Sequence, residues 1–216
     1  MYDQEEVSCT QCRIYTKKLG LLQHIVQWST IRTGWWWRLG IASVLGYIWL
    51  KYLHQSDYAV QRTANPINAF DLGIHELGHI VFIPFGVFMT ILGGSLFQCL
   101  FPLLWLGVCA WKRWYFATCM VLIWFSYNLF DVATYAADAR ARLLPLATFS
   151  SDYDSAHDWY QILSRLNRLQ DDTAIAHVLR VGGTICGIAG LTLGGVLIAL
   201  VLRNSLKQVD TNEPTA

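Results

Sequence analysis

Charge is scarce in this chain. Only 14% of its 216 residues are Asp, Glu, Lys or Arg, and the formal net charge is +1. Without an excess of either sign, nothing in it suggests a nucleic-acid partner or an acidic substrate. The start does not read as a cleavable signal peptide, because no short apolar core leads from a basic start to a small-residue cleavage site. No soluble substrate-binding module is recognisable either. Cysteine is present but unorganised: Cys9 and Cys12 form a lone CxxC, lacking both the further ligands of a zinc site and the βαβ context of a redox motif. Cys99, Cys109, Cys119 and Cys186 fall in apolar runs and read as packing residues.

Apolar and aromatic residues fill the space that charge leaves. The chain is 54% hydrophobic and holds ten tryptophans, a composition that points to an all-α, polytopic membrane helix bundle. Its partners are then membrane lipids and, for an enzyme, a membrane-protein substrate. Residues 1–34 form a polar tail, amphipathic from Leu19 to Ile31; 35–202 form the multi-pass domain, with a polar loop at 143–175; 203–216 form a second polar tail. The first span is expected from about Trp35 to Leu53, with aromatic residues at both ends. A helix should begin at Asn65-Pro66, cap and first turn together, with a break suggested at "IPFG", where Pro84 and Gly86 interrupt the pattern. A turn is expected at Gly93-Gly94-Ser95, then a helix from about Trp114 running past Phe130, and a last span from about Ile175 to Leu202. Its pairs Gly183/Gly187 and Gly190/Gly194 suit close helix packing. In the polar loop, Ser155 or Asp154 could cap a short helix with Trp159, Ile162, Leu163, Leu166 and Leu169 on its apolar side. About five spans result, with four and six as the neighbouring counts. A cytoplasmic amino terminus puts most loop Arg and Lys, including Arg140, Arg142, Arg165 and Arg168, on one side, as the positive-inside rule requires.

Against this background "FDLGIHELGH" stands out, with Asp71, His75, Glu76 and His79 in an otherwise apolar helix. His75-Glu76-Leu77-Gly78-His79 has the form HExxH. Six histidines and four glutamates placed at random would yield only about 0.003 such matches. Positions i and i+4 share a helical face, so both imidazoles can reach one ion while Glu76 projects beside it. Zinc lowers the pKa of a bound water to roughly 7, and a neighbouring carboxylate can take its proton and pass it to a leaving group. Ionisable side chains at bilayer depth cost about 2.5 kcal/mol or more, which argues that these serve a function.

Two histidines need a third protein ligand. Asn128, Asp131, Tyr135 and Asp138 fall on one helical face, and Asp131 is the most deeply embedded carboxylate outside the motif helix, which makes it the first choice. His157 is the alternative, with Asp154 or Asp158 to orient it. Asp71, at i−4 from His75, could accept that histidine's other ring N–H, with Asn128 as a further supporting residue.

An HExxH within an apolar helix resembles the site-2 protease family of intramembrane zinc metallopeptidases. The resemblance covers roughly residues 67–138. It implies zinc held by His75, His79 and Asp131, Glu76 as general base, and hydrolysis of a peptide bond in or near the bilayer. Where that family has a proline-rich Asn-Pro…Leu-Asp-Gly context, this chain has Asn128 three residues before Asp131, no proline between, and Val132 in place of the glycine. Zinc-dependent lipid or amide hydrolysis uses the same metal chemistry, and non-enzymatic metal binding or transport is the reading from another class.

Overall fold

The computed structural model describes residues 20–32, 34–54, 66–144 and 156–212. Cys9, Cys12, Asn65, Asp154 and Ser155, and the roles expected of them, lie outside the described residues. Seven α-helices are described: α1 (Leu21–Thr30), α2 (Trp35–His54), α3 (Pro66–Phe82), α4 (Val87–Trp111), α5 (Tyr115–Ala137), α6 (Asp158–Arg165) and α7 (Asp172–Asn212), with 3₁₀ turns at Ile83–Phe85 and Leu169–Asp171. Three stretches among the described residues are long and apolar enough to cross a membrane: Val87–Trp111, Tyr115–Ala137 and Leu169–Gln208. α2 has 20 residues but carries Arg38 and Lys51. At 17 residues, α3 is about 25 Å long and holds the four polar residues of the motif.

The chain divides into two compact units. In the smaller, drawn from 1–35 and 199–216, Asn204 Nδ2 donates to the buried Ser29 hydroxyl at 2.9 Å. The larger runs from Trp36 to Ile198 and holds the candidate site.

The expected turn at Gly93-Gly94-Ser95 is overturned: those residues lie within α4, buried. The chain reverses instead at Ile83–Gly86. Pro84 helps to end α3, and Gly86 has φ +89° and ψ 168°, a conformation that side-chain-bearing residues almost never adopt. Moving the reversal eight residues earlier puts the end of α3, the start of α4 and the end of α5 at one end of the bundle. His75 and Asp131, which a later turn would have set at opposite ends, become neighbours in depth.

The core of the larger unit gathers Trp49 of α2 with Ile123, Tyr127 and Phe130 of α5. Trp49 Nε1 donates to Ser126 Oγ at 2.8 Å, and the Tyr127 hydroxyl donates to the Leu45 carbonyl. The glycines of α7 fit against this surface: a Cβ on Gly190 would lie 2.7 Å from Ile123 Cγ1 and 2.9 Å from the Cys119 carbonyl oxygen. At Gly187 the added carbon would lie 2.0 Å from Trp49 Nε1. Trp49 is only 4% exposed and cannot swing away freely. Gly187→Ala is therefore expected to lower stability by about 1–3 kcal/mol, read as a lower thermal midpoint in detergent. Gly195→Ala, which meets nothing within 4 Å, should leave that midpoint level or raise it.

Candidate metal centre

α3 presents its motif by simple helical periodicity. Asp71, Ile74, His75 and Gly78 are buried, His79 is half-buried, and Glu76 is exposed. Glycine decides how closely α4 approaches. A Cβ on Gly78 would fall 2.3 Å from the Gly93 carbonyl oxygen, and one on Gly93 would fall 2.8 Å from the Gly78 oxygen. Gly94 lies directly beneath the imidazoles: its missing Cβ would be 2.5 Å from His75 Nε2 and 2.7 Å from His79 Nε2.

α4 supplies partners one turn apart along the same face, Thr90, Gly94 and Gln98. His79 Nδ1 donates to the Thr90 carbonyl at 2.8 Å, which leaves Nε2 with its lone pair in the neutral ring. His75 Nδ1 lies 3.0 Å from Gln98 Oε1. The Gln98 amide in turn donates through Nε2 to Asp131 Oδ2 at 2.8 Å.

The third converging group comes from α6. Asp158 Oδ2 lies 3.0 Å from His75 Nε2 and 3.3 Å from His79 Nε2. These three residues form the one group among the described residues whose ligand atoms could share a metal ion. Ligands bound tetrahedrally at 2.0–2.1 Å sit about 3.3 Å from one another, close to the 3.0 and 3.3 Å that separate Asp158 from the two rings. Burial alone would push the Asp158 carboxyl up, but hydrogen bonds and charge from His75 and His79 outweigh it and hold the group below the usual carboxylate range. The donor set, the spacing and the room left by Gly94 all suit a metal with three protein ligands and an open position.

α6 is short, so its placement depends on specific bonds at its start. His157 is fully buried and caps the helix, its Nδ1 accepting from the Tyr160 N–H at 3.2 Å. The ring proton is then on Nε2, which donates to Asp138 Oδ2 at 3.2 Å. Burial pulls the His157 pKa down, against the upward effect of Asp138, and favours the neutral ring. Asp138 also accepts from the Leu143 and Leu144 N–H groups. The Tyr135 hydroxyl accepts from the Asp158 N–H at 3.0 Å, and Trp159 Nε1 donates to Ser95 Oγ at 3.1 Å, one residue from Gly94.

The expected residues separate accordingly. His75 and His79 come together, and Asp158 joins them in place of Asp131 or His157. Asp131 is bonded to Gln98, one side chain removed from His75. His157 is occupied as a cap and by Asp138, so its neighbour rather than its own ring reaches the histidines. Asp71 does not take the second N–H of His75; its Oδ1 accepts from Trp124 Nε1 at 2.8 Å. Asn128 donates to the Trp124 carbonyl at 3.0 Å, next to that pair rather than beside the motif histidines. Thr90 and Gln98 had not been singled out, and Gly94 had been read only as part of a turn. Gln98 left a readable trace as an isolated amide in "LFQCLFPLLWLGVCAW".

Comparisons with protein-family models, with curated proteins and with solved structures gave no match to this chain, so the candidate centre stands on its own geometry.

Proposed function

We propose that this chain is a membrane-embedded zinc-dependent hydrolase, a metallopeptidase of the site-2 protease type, with His75, His79 and Asp158 as zinc ligands and Glu76 as general base. The observation that carries the reading is the convergence of two imidazole Nε2 atoms and one carboxylate oxygen at 3.0 and 3.3 Å. In this reading α2 and α3 join the three long apolar stretches, giving five membrane-inserted helices with the amino terminus in the cytoplasm. The ligand aspartate then comes from a short helix beyond α5, a departure from the pattern in which a transmembrane helix carries it.

When bound, zinc supplies Lewis acidity and lowers the pKa of a coordinated water to roughly 7. The protein does the rest. The hydrogen bond to Thr90 holds His79 in a ligating tautomer, and Asp158 presents one carboxylate oxygen to both rings. Glu76 follows His75 in the same helical turn and is exposed rather than packed against a neighbouring helix. It takes a proton from the attacking water and hands it to the leaving nitrogen.

Glu76→Gln tests this. The zinc-loaded wild type should cleave a labelled transmembrane peptide set or labelled casein in detergent, and the variant should keep its zinc and lose about 10²–10⁴-fold in turnover. A wild type that holds zinc and cleaves nothing would point to a structural clamp instead, and a variant as active as wild type would remove Glu76 from the role of base.

A further inference from the structure

We propose that Gln98 and Asp131 are positioning residues that commit His75 to binding metal through Nε2. The inference rests on the metal reading above and adds a control layer to it.

An imidazole ligates through the nitrogen that lacks a proton, so the partner of the other nitrogen selects the ligand atom. For His79 the partner is a backbone carbonyl, which can only accept. For His75 it is a side-chain amide, which can present either its oxygen or its nitrogen. In one orientation Gln98 Oε1 accepts from His75 Nδ1–H, and Nε2 is left for the metal. In the flipped orientation the amide N–H would need Nδ1 as an acceptor. The ring proton would move to Nε2 and block the ligand position.

Asp131 decides between the two. Its carboxylate oxygen accepts from the Gln98 amide nitrogen, at 2.8 Å, which turns Oε1 toward His75. Gln98 is 2% exposed, which leaves water little access to take over either role. This also gives the part-buried Asp131 a role although it does not touch the imidazoles.

The experiment is zinc affinity by chelator competition on detergent-purified full-length chains, with the metal-free thermal midpoint measured beside it. Asp131→Asn nearly preserves shape but can donate to Gln98 Oε1, freeing the amide to flip. It should weaken zinc binding by roughly 10–100-fold, and Gln98→Leu should do the same. Adding Gln98→Glu to Asp131→Asn should restore affinity, because a glutamate at 98 accepts both from His75 Nδ1–H and from the new amide at 131. Packing alone predicts no such rescue.

Wild-type affinity in Asp131→Asn, or a double variant no tighter than the single, would overturn the proposal. A wild type that binds no zinc would overturn the metal reading beneath it. Should Gln98→Leu fail to fold, the Asp131→Asn and double-variant comparison decides by itself.

Discussion

Removing the Asp158 carboxylate is expected to lower zinc affinity by two to three orders of magnitude. Structural zinc sites release about 10–16 kcal/mol through four ligands, so one ligand accounts for roughly 2.5–4 kcal/mol, which is about 10²–10³-fold in affinity. Asp158→Ala should show this loss in chelator competition, at the same level as His75→Ala or His79→Ala. The helix that carries it should survive, because its three anchors, His157 to Asp138, the Asp158 N–H to Tyr135, and Trp159 to Ser95, do not involve the Asp158 side chain. Asp131→Ala should cost less, since Asp131 reaches His75 only through Gln98. The opposite order, with Asp131→Ala abolishing binding and Asp158→Ala harmless, would return the third ligand to α5.

Gly94→Ala should eliminate zinc binding with one methyl group. That carbon would lie 2.5 Å from His75 Nε2 and 2.7 Å from His79 Nε2, the space a bound ion needs beside both nitrogens. The backbone offers no resistance, because alanine is favoured over glycine within a helix by about 1 kcal/mol. A folded chain whose imidazoles are pushed off the site is the expected product. Elemental analysis should find about one zinc per chain in wild type and in Gly107→Ala, a substitution in the same helix with nothing within 4 Å, and essentially none in Gly94→Ala. A Gly94→Ala protein with one tightly held zinc would mean the ion sits elsewhere.

Legibility in the sequence followed the range of the interaction. HExxH was readable because its geometry is internal to one helix: i, i+4 spacing places His75 and His79 without any knowledge of the fold. The helix at Pro66 and the aromatic-bordered α2 were local for the same reason. The third converging side chain was not local. Ranking carboxylates by depth favoured Asp131, but the side chain that reaches the imidazoles depends on where a short polar helix docks, and bonds from Tyr135, Asp138 and Ser95 set that position. Adjacent glycines carried the same ambiguity. Gly93-Gly94 reads equally as a turn or as a place where helices touch, and Gly78 and the two imidazoles opposite decide for contact.

His75 and Asp158 meet at 3.0 Å although 83 positions separate them in the chain. A ribosome that has finished α3 has made both histidines and Glu76, but α4, α5 and the start of α6 must still follow before the carboxylate exists. A growing chain therefore carries a two-ligand site, weaker in metal by the share that one ligand supplies, throughout the synthesis of the next two long helices. Under the proposed function, tight zinc uptake would mark completed assembly. The proposed hydrolytic centre would then be incomplete while the chain is emerging, when its own unpacked segments are the nearest peptides within reach.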